Sequence, residues 1–153
     1  MKEIQIIRAT SKIERKQFAE FGNLLYAQCP YAVPELAFDI LDTFDAKKNA
    51  AYEFCEAQLF LAVRGSEIVG RVAAIINHRA NETWDVKNVR FGYLDFIDDA
   101  SDADALLHAV EEWGRERGMT SCQGPMGFTD FDKEGMLIEG FDRLGSITTY
   151  YNH

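Results

Sequence analysis

The sequence has no apolar run long enough to cross a membrane. Its longest runs, such as Val72 to Ile76, fall far below the roughly 20 residues that a membrane helix requires. The first ten residues, MKEIQIIRAT, lack the apolar region of a secretory signal and continue into a strand-like stretch. We therefore expect a soluble, cytoplasmic protein with no membrane partner.

Cysteine is scarce. The three cysteines, Cys29, Cys55 and Cys122, are odd in number and widely spaced, and no CxxC or Cys/His pair has the spacing of a metal site. We expect reduced thiols, as is usual in the cytosol, and no bound metal. The sequence also contains no Ser-His-Asp, Cys-His or P-loop pattern, which argues against those types of nucleophile and nucleotide site.

Positive charge is in the minority. Lys and Arg number 16 against 25 Asp and Glu, which gives a formal net charge of −9. Such a field repels phosphate backbones and anionic headgroups, and nucleic-acid binding requires a clustered basic face. The one candidate cluster, from Lys12 to Lys16, reads as the solvated face of a helix. The sequence therefore predicts no nucleic-acid partner.

The composition is that of a globular protein. Hydrophobic residues make up 47% and charged residues 27% of 153 positions, which predicts one domain spanning residues 1–153. Hydrophobic periodicity gives the order β-α-α-β-β-β-α-β and a glycine-rich, partly helical tail. Three consecutive strands without a crossover helix indicate an α+β fold with a mixed central sheet flanked by helices.

The boundaries of these elements follow from caps and breakers. Ser11 and Glu14 form a capping box for the first helix, Cys29-Pro30 ends it, and Gly118 ends the last helix. Near-continuous apolar runs in the two central strands indicate a sheet covered on both faces. The predicted strands are 3–8, 58–63, 68–77, 90–97 and 121–126. The first predicted helix follows Ser11 and has Phe18, Phe21, Leu24 and Leu25 on its apolar face. A second helix follows Pro34, a third spans 102–117, and residues 78–88 are a polar loop.

Four stretches resemble a known family. They are CPYAVPEL (29–36), FLAVRGSEIVGRVAAIINH (60–78), FGYLDFIDD (91–99) and GPMGFTDFDKEGMLIEGFD (124–142). The element order resembles the GNAT acyltransferase superfamily up to its fifth strand, and the last stretch is similar to one uncharacterised bacterial GNAT-like family. Members are usually longer, so the resemblance implies a GNAT-like fold that lacks its last strands.

The resemblance implies acetyl-CoA as cofactor. In the superfamily the fourth strand splays from the fifth to receive the pantetheine arm, and the next helix presents its N–H groups to the pyrophosphate. The matching residues here are Phe96, Ile97, Asp98, Ser101 and Ala103. The loop usually contains glycines and cations, whereas residues 98–104 contain four carboxylates. A capping box of Ser101 with Asp104 would satisfy this helix internally.

The resemblance also implies catalytic residues. Asp95 on the fourth strand corresponds to the general base, and Tyr150 and Tyr151 lie where the segment with the general acid begins. Asp95 facing solvent, or bonded to the neighbouring strand, is the structural alternative. Arg71, in an otherwise apolar strand, requires a partner, and Asp95 or Glu67 is the expected one.

Glu139 and His78 are candidates for the substrate pocket. Glu139 lies between apolar residues, and His78 ends the third strand. The neighbouring carboxylates of the tail, Asp130 and Asp132, are explained more simply as caps of a helix over 136–138.

Two functions remain open at this point. One is an N-acyltransferase that moves an acetyl or acyl group from acyl-CoA to a small-molecule amine. The other is a non-catalytic GNAT-like binding or assembly domain, which the acidic loop favours. An exposed sheet edge or a swapped tail would also allow a homodimer.

Overall fold

The computed structural model describes residues 3–145. Tyr150 and Tyr151, the predicted source of a general acid, lie outside the described residues. In chain order the elements are β1 (Ile4–Arg8), α1 (Lys12–Leu25), α2 (Ala37–Thr43), a 3₁₀ helix (Ala50–Glu53), β2 (Cys55–Arg64), β3 (Glu67–Asn77), α3 (His78–Thr83), β4 (Asn88–Phe96), α4 (Ala100–Arg115) and β5 (Ser121–Gln123).

The five strands form one mixed sheet in the order β1-β2-β3-β4-β5. The first three pairings are antiparallel, and β4 pairs with β5 in parallel. The β3–β4 register places Arg71 directly opposite Asp95. Two residues of opposite charge therefore face each other across the middle of the sheet.

Each face of the sheet supports its own apolar cluster, because β2 and β3 alternate buried side chains between the two faces. On one side Leu61 and Ile75 pack with residues of α1 and α2, among them Phe18 and Ile40. On the other side lie Val72 and Ile76 with the apolar stripe of α4, which comprises Leu106, Val110 and Trp113. The prediction that both faces are covered is confirmed.

Helices α1 and α4 begin at residues whose side chains cap them. The capping box at α1 is confirmed, since Glu14 N–H donates to Ser11 Oγ at 3.2 Å and Ser11 N–H donates to Glu14 Oε2 at 2.8 Å. The predicted Ser101–Asp104 box at α4 is wrong. Asp99 caps this helix instead, because its Oδ1 accepts from Ser101 N–H at 3.0 Å.

Two segments differ from their predictions. Residues 78–88 were expected to be a loop, yet Asn77 caps α3 by accepting from Ala80 N–H at 2.8 Å. The tail was expected to be partly helical, and residues 124–145 contain no helix. Asp132 accepts from Thr129 N–H at 2.9 Å rather than capping a helix over 136–138. Gly135 and Gly140, at φ 72° and 85°, turn the chain there.

The apolar face of α1 is narrower than its spacing predicts. Phe18 and Phe21 are buried, whereas Leu24 is 73% exposed. The helix ends at Leu25, before the predicted stop at Pro30, and the turns that follow carry the chain to Glu35. This early end brings the 26–36 loop back over the sheet.

Candidate functional site

The guanidinium of Arg71 lies at the centre of a buried polar cluster. Its Nε donates to Asp95 Oδ2 at 2.7 Å and its Nη2 donates to Glu35 Oε2 at 2.6 Å. Its Nη1 donates to the Phe18 carbonyl of α1 at 2.8 Å. Arg71 is only 1% exposed. The planar fork of arginine therefore joins β3, β4, α1 and the 26–36 loop in one network.

Gly22 allows α1 to approach this network. A Cβ built on Gly22 would lie 2.6 Å from Arg71 Nη2 and 3.1 Å from Glu35 Oε2. Any side chain there would displace the guanidinium. The glycine in the second half of α1 is thus required by close packing and not by a turn.

Glu35 is positioned by its backbone. Its N–H donates to Asn23 Oδ1 at 2.8 Å, and its carbonyl accepts from Asn23 Nδ2 at the same distance. This pair of bonds fixes the 26–36 loop to α1 and points the Glu35 carboxylate at Arg71. The second carboxylate oxygen, Oε1, lies 2.5 Å from Lys133 Nζ.

Electrostatics favour the charged forms of Arg71 and Glu35. Burial lowers the pKa of Arg71, but the carboxylates of Asp95 and Glu35 outweigh it and hold that pKa above its ordinary value. Burial likewise raises the pKa of Glu35, and the cations of Arg71 and Lys133 outweigh it and hold the pKa below its ordinary range. Burial and the Asp95 charge raise the pKa of Tyr26, whose hydroxyl donates to Asp95 Oδ1 at 3.2 Å.

A cavity of about 110 Å³ opens beside this cluster. Its walls are the end of α1, the 26–36 loop and the charged side chains of Glu35, Arg71, Asp95 and Lys133. The volume is well below the roughly 300 Å³ of a site for a drug-sized ligand. The cavity can hold a small polar group, such as one end of a longer molecule.

Asp95 lies near the end of β4, beyond the part of that strand that pairs with β5. Parallel pairing with β5 stops at Arg90, and the Met126 N–H then donates to the Phe91 carbonyl at 2.9 Å. Tyr93 has φ 52°, close to the register shift between β3 and β4. The cavity is lined by residues of α1, the 26–36 loop, β3 and β4 and by Lys133, and by no residue of β5.

The start of α4 does not fit a pyrophosphate group. Asp99 Oδ1 accepts from the Ser101 N–H, and the Asp99 carbonyl accepts from the Asp102 N–H at 3.0 Å. Arg64, the neighbouring cation, is bound to Asp99 at 2.8 Å and to Asp102 at 2.9 Å. An anion would have to displace a carboxylate from the helix N-terminus and compete for an arginine that already has two partners.

Asp102, on the buried side of α4, also holds Arg64 at the start of the helix. Its side chain is fully buried, its Oδ1 accepts from Arg64, and its Oδ2 has no hydrogen-bond partner among the described residues. Burial raises the pKa of Asp102, and Arg64 opposes that effect. Arg64 therefore offsets the desolvation of a buried carboxylate and is held in place by it.

The predicted site residues separate into three places. Asp95 lies at the cavity, and of the two partners predicted for Arg71, Asp95 is correct whereas Glu67 is replaced by Glu35. The predicted cofactor residues lie around the α4 start: Phe96, Ile97 and Ala103 are half-buried, and Asp98 and Ser101 are exposed.

The predicted pocket residues lie elsewhere. His78 is exposed and bonds Glu56 at 2.9 Å, and Glu139 is exposed, so neither lines the cavity. The sequence analysis missed Glu35, Tyr26 and Lys133 as cavity residues. The available signal was the unpaired charge of Arg71 within an apolar strand, which required more than one acceptor.

Among residues 3–145, no group of three or more His, Cys, Asp or Glu side chains could hold a metal ion. No helix in the same range is long and apolar enough to cross a membrane. The three cysteines are free, with Cys55 buried and Cys122 exposed.

Two curated proteins are similar in sequence. The chain is 30% identical over 141 residues to the bacterial ceramide synthase of Caulobacter vibrioides. The aligned region covers 92% of this chain and 37% of that protein. The chain is 32% identical over 132 residues to Protein YghO of Escherichia coli, covering 86% and 34%. The chain thus spans about a third of the length of these relatives. No protein-family model matches it.

Solved structures are similar in fold. A tandem GNAT protein from the clavulanic acid biosynthesis pathway has a TM-score of 0.60 at 15% identity, covering 78% of this chain and 35% of that one. An aminoglycoside acetyltransferase from an uncultured soil metagenomic sample, in complex with sisomicin, has a TM-score of 0.52 at 10% identity, covering 79% and 74%. The chain therefore has the α+β fold of the GNAT acetyltransferases, as its sequence motifs predict.

Proposed function

We propose that this chain acts in N-acyl transfer, with the cavity beside Arg71 as the site of the amine acceptor. The observation that carries the proposal is the presence of two carboxylates, Asp95 near the end of β4 and Glu35 of the 26–36 loop, in one cavity. The name of one relative agrees with it, because a ceramide is an amide.

Amine chemistry requires a proton acceptor. An amine attacks a carbonyl carbon only in its neutral form, so a nearby group must take up the proton. Asp95 is the proposed base. Its Oδ2 is held by Arg71, and its Oδ1 accepts a hydrogen bond from Tyr26 at 3.2 Å. Oδ1 can accept one more hydrogen bond, here from the amine. Arg71 and Tyr26 are positioning residues in this scheme.

Acetyl-CoA is the acyl donor that the fold implies, but the start of α4 is occupied by Asp99 and Arg64. This observation favours a second candidate function, a GNAT-fold domain that binds a ligand or partner without catalysis. The cytoplasmic location and a homodimer through a sheet edge stay predictions, and a molar mass from light scattering tests the latter.

Titration of acetyl-CoA into the full chain by calorimetry separates the two candidates. Saturable heat together with thermal stabilisation supports acyl transfer. No heat and no stabilisation at millimolar acetyl-CoA contradicts it and supports the binding domain. The variant Asp99→Gly tests whether Asp99 at the start of α4 keeps acetyl-CoA from binding, because it frees the Ser101 N–H. Affinity should rise at least about ten-fold, whereas Asp104→Asn, an exposed carboxylate on the same helix, should leave it unchanged.

A further inference from the structure

We propose that Glu35 Oε1 is an ammonium subsite and that Lys133 is its built-in occupant, which a ligand amine must displace. This inference rests on the proposed acceptor site but not on any transfer step. Lys133 Nζ lies 2.5 Å from Glu35 Oε1 inside the cavity. The chain thus places a primary ammonium of its own where an amine ligand would bind.

The charges of the cluster require a cation at this position. Arg71 is bonded to both Asp95 and Glu35, so one guanidinium faces two carboxylates. The two anions exceed this single cation by one charge. Glu35 is held as an anion, with its side chain only 15% exposed, and it must be neutralised by something that reaches Oε1. Lys133 supplies that charge.

Lys133 differs from Arg71 in how firmly it is held. Arg71 is 2% exposed and bonded to two carboxylates and a backbone carbonyl, whereas the Lys133 side chain is 30% exposed. Lys133 belongs to the segment after β5, which has no helix and is anchored upstream by the buried Phe128. A lysine on a flexible four-carbon stem is an exchangeable ligand, which a guanidinium with several bonds is not.

The consequence is a site whose apparent affinity is lowered by its own lysine. The apparent affinity for a ligand is the intrinsic affinity multiplied by the fraction of molecules in which the subsite is open. If Lys133 leaves Glu35 about a tenth of the time, removing its ammonium strengthens binding by about ten-fold. A neutral ligand of the same shape binds the open subsite more weakly than an amine, because it leaves the charge of Glu35 without a counterion.

The probe for the test is n-butylamine, which is small enough for the cavity, titrated into the full chain and followed by the NMR shift of the Asn23 side-chain amide. Lys133→Met removes the ammonium and keeps an unbranched side chain. It should bind n-butylamine about ten-fold more tightly than the unmodified chain. The matched control is Lys48→Met, because Lys48 forms an exposed pair with Asp42 at the same 2.5 Å; its affinity should be unchanged. n-Butanol should bind more weakly than n-butylamine to the Lys133→Met variant, because it carries no charge to pair with Glu35; equal affinities would contradict an ammonium subsite.

Glu35→Gln, added to Lys133→Met, should abolish the gain. Equal affinities in Lys133→Met and the unmodified chain, or a gain that persists with Glu35→Gln, would overturn the proposal. If Glu35→Gln does not fold, the comparison of Lys133→Met with Lys48→Met still decides. Because no acyl donor is present, failure of acetyl-CoA to bind would reject the transfer function and leave this result standing.

Discussion

Arg71 and Asp95 face each other across β3 and β4, and their side chains form a buried ion pair at 2.6 Å. Glu35 adds a second carboxylate to the same guanidinium. Removing one member of such a cluster leaves an uncompensated buried charge, which costs more than the pair itself contributes.

Arg71→Met should therefore destabilise the protein by about 3–5 kcal/mol. Urea denaturation followed by circular dichroism measures this change. Arg115→Met is the matched control, because Arg115 pairs with Glu111 at 3.0 Å on the exposed surface of α4, and surface pairs contribute little. The double variant Arg71→Met with Asp95→Leu should recover part of the loss. If it is as unstable as the single variant, the charge argument fails.

Gly22→Ala should destabilise the protein by about 1–3 kcal/mol through overpacking. This loss of unfolding free energy is opposite in sign to the usual effect, because alanine normally stabilises a helix relative to glycine by about 0.5–1 kcal/mol. Here its Cβ would lie 2.6 Å from Arg71 Nη2, so the guanidinium would have to move away from its bonds to Asp95 and Glu35. Gln17→Ala, on the exposed side of α1, should be close to neutral. A Gly22→Ala variant as stable as the unmodified chain in urea would contradict the close packing.

Phe128→Ala should cost about 3–5 kcal/mol, the usual loss for a large buried aromatic side chain. Phe128 is 2% exposed, and its ring lies 5.5 Å from Phe44 and 5.2 Å from Tyr52 between ring centroids. Phe131 is three residues further and 88% exposed, so Phe131→Ala should leave the unfolding midpoint unchanged. Equal effects of the two substitutions would mean that Phe128 does not anchor the segment after β5.

Asp99 gives a stability change with acid pH. Its bonds to Ser101 and Arg64 lower its pKa from an ordinary 3.8 to about 2. Between these values the unfolded chain binds more protons than the folded chain, so stability from Asp99 is present above about pH 4 and is lost as the pH falls towards 2. In the Asp99→Asn variant the urea midpoint should fall less between about pH 4 and pH 2 than in the unmodified chain. In the Asp104→Asn variant it should fall as much as in the unmodified chain. Parallel curves for Asp99→Asn and the unmodified chain would contradict the cap.

The sequence by itself did not predict α3, but it determined the order of the five strands and of α1, α2 and α4, the Ser11–Glu14 cap and the two-sided sheet. These features depend on neighbours in the chain, where periodicity and capping distances are visible. It also indicated that Arg71 needs an anionic partner. The family resemblance extended this to the GNAT fold, through motifs spread along residues 29–142.

Only the tertiary structure decided what surrounds Arg71 and what occupies the start of α4. Glu35 is 36 residues from Arg71 and Lys133 is 98 residues from Glu35, distances that no local pattern spans. The cap at α4 is Asp99 and not Ser101, and Arg64, from the end of β2, binds Asp99 and Asp102 together. The acidic loop was visible in the sequence, whereas its counterion was not, because antiparallel pairing and the packing of α4 set which cation reaches it.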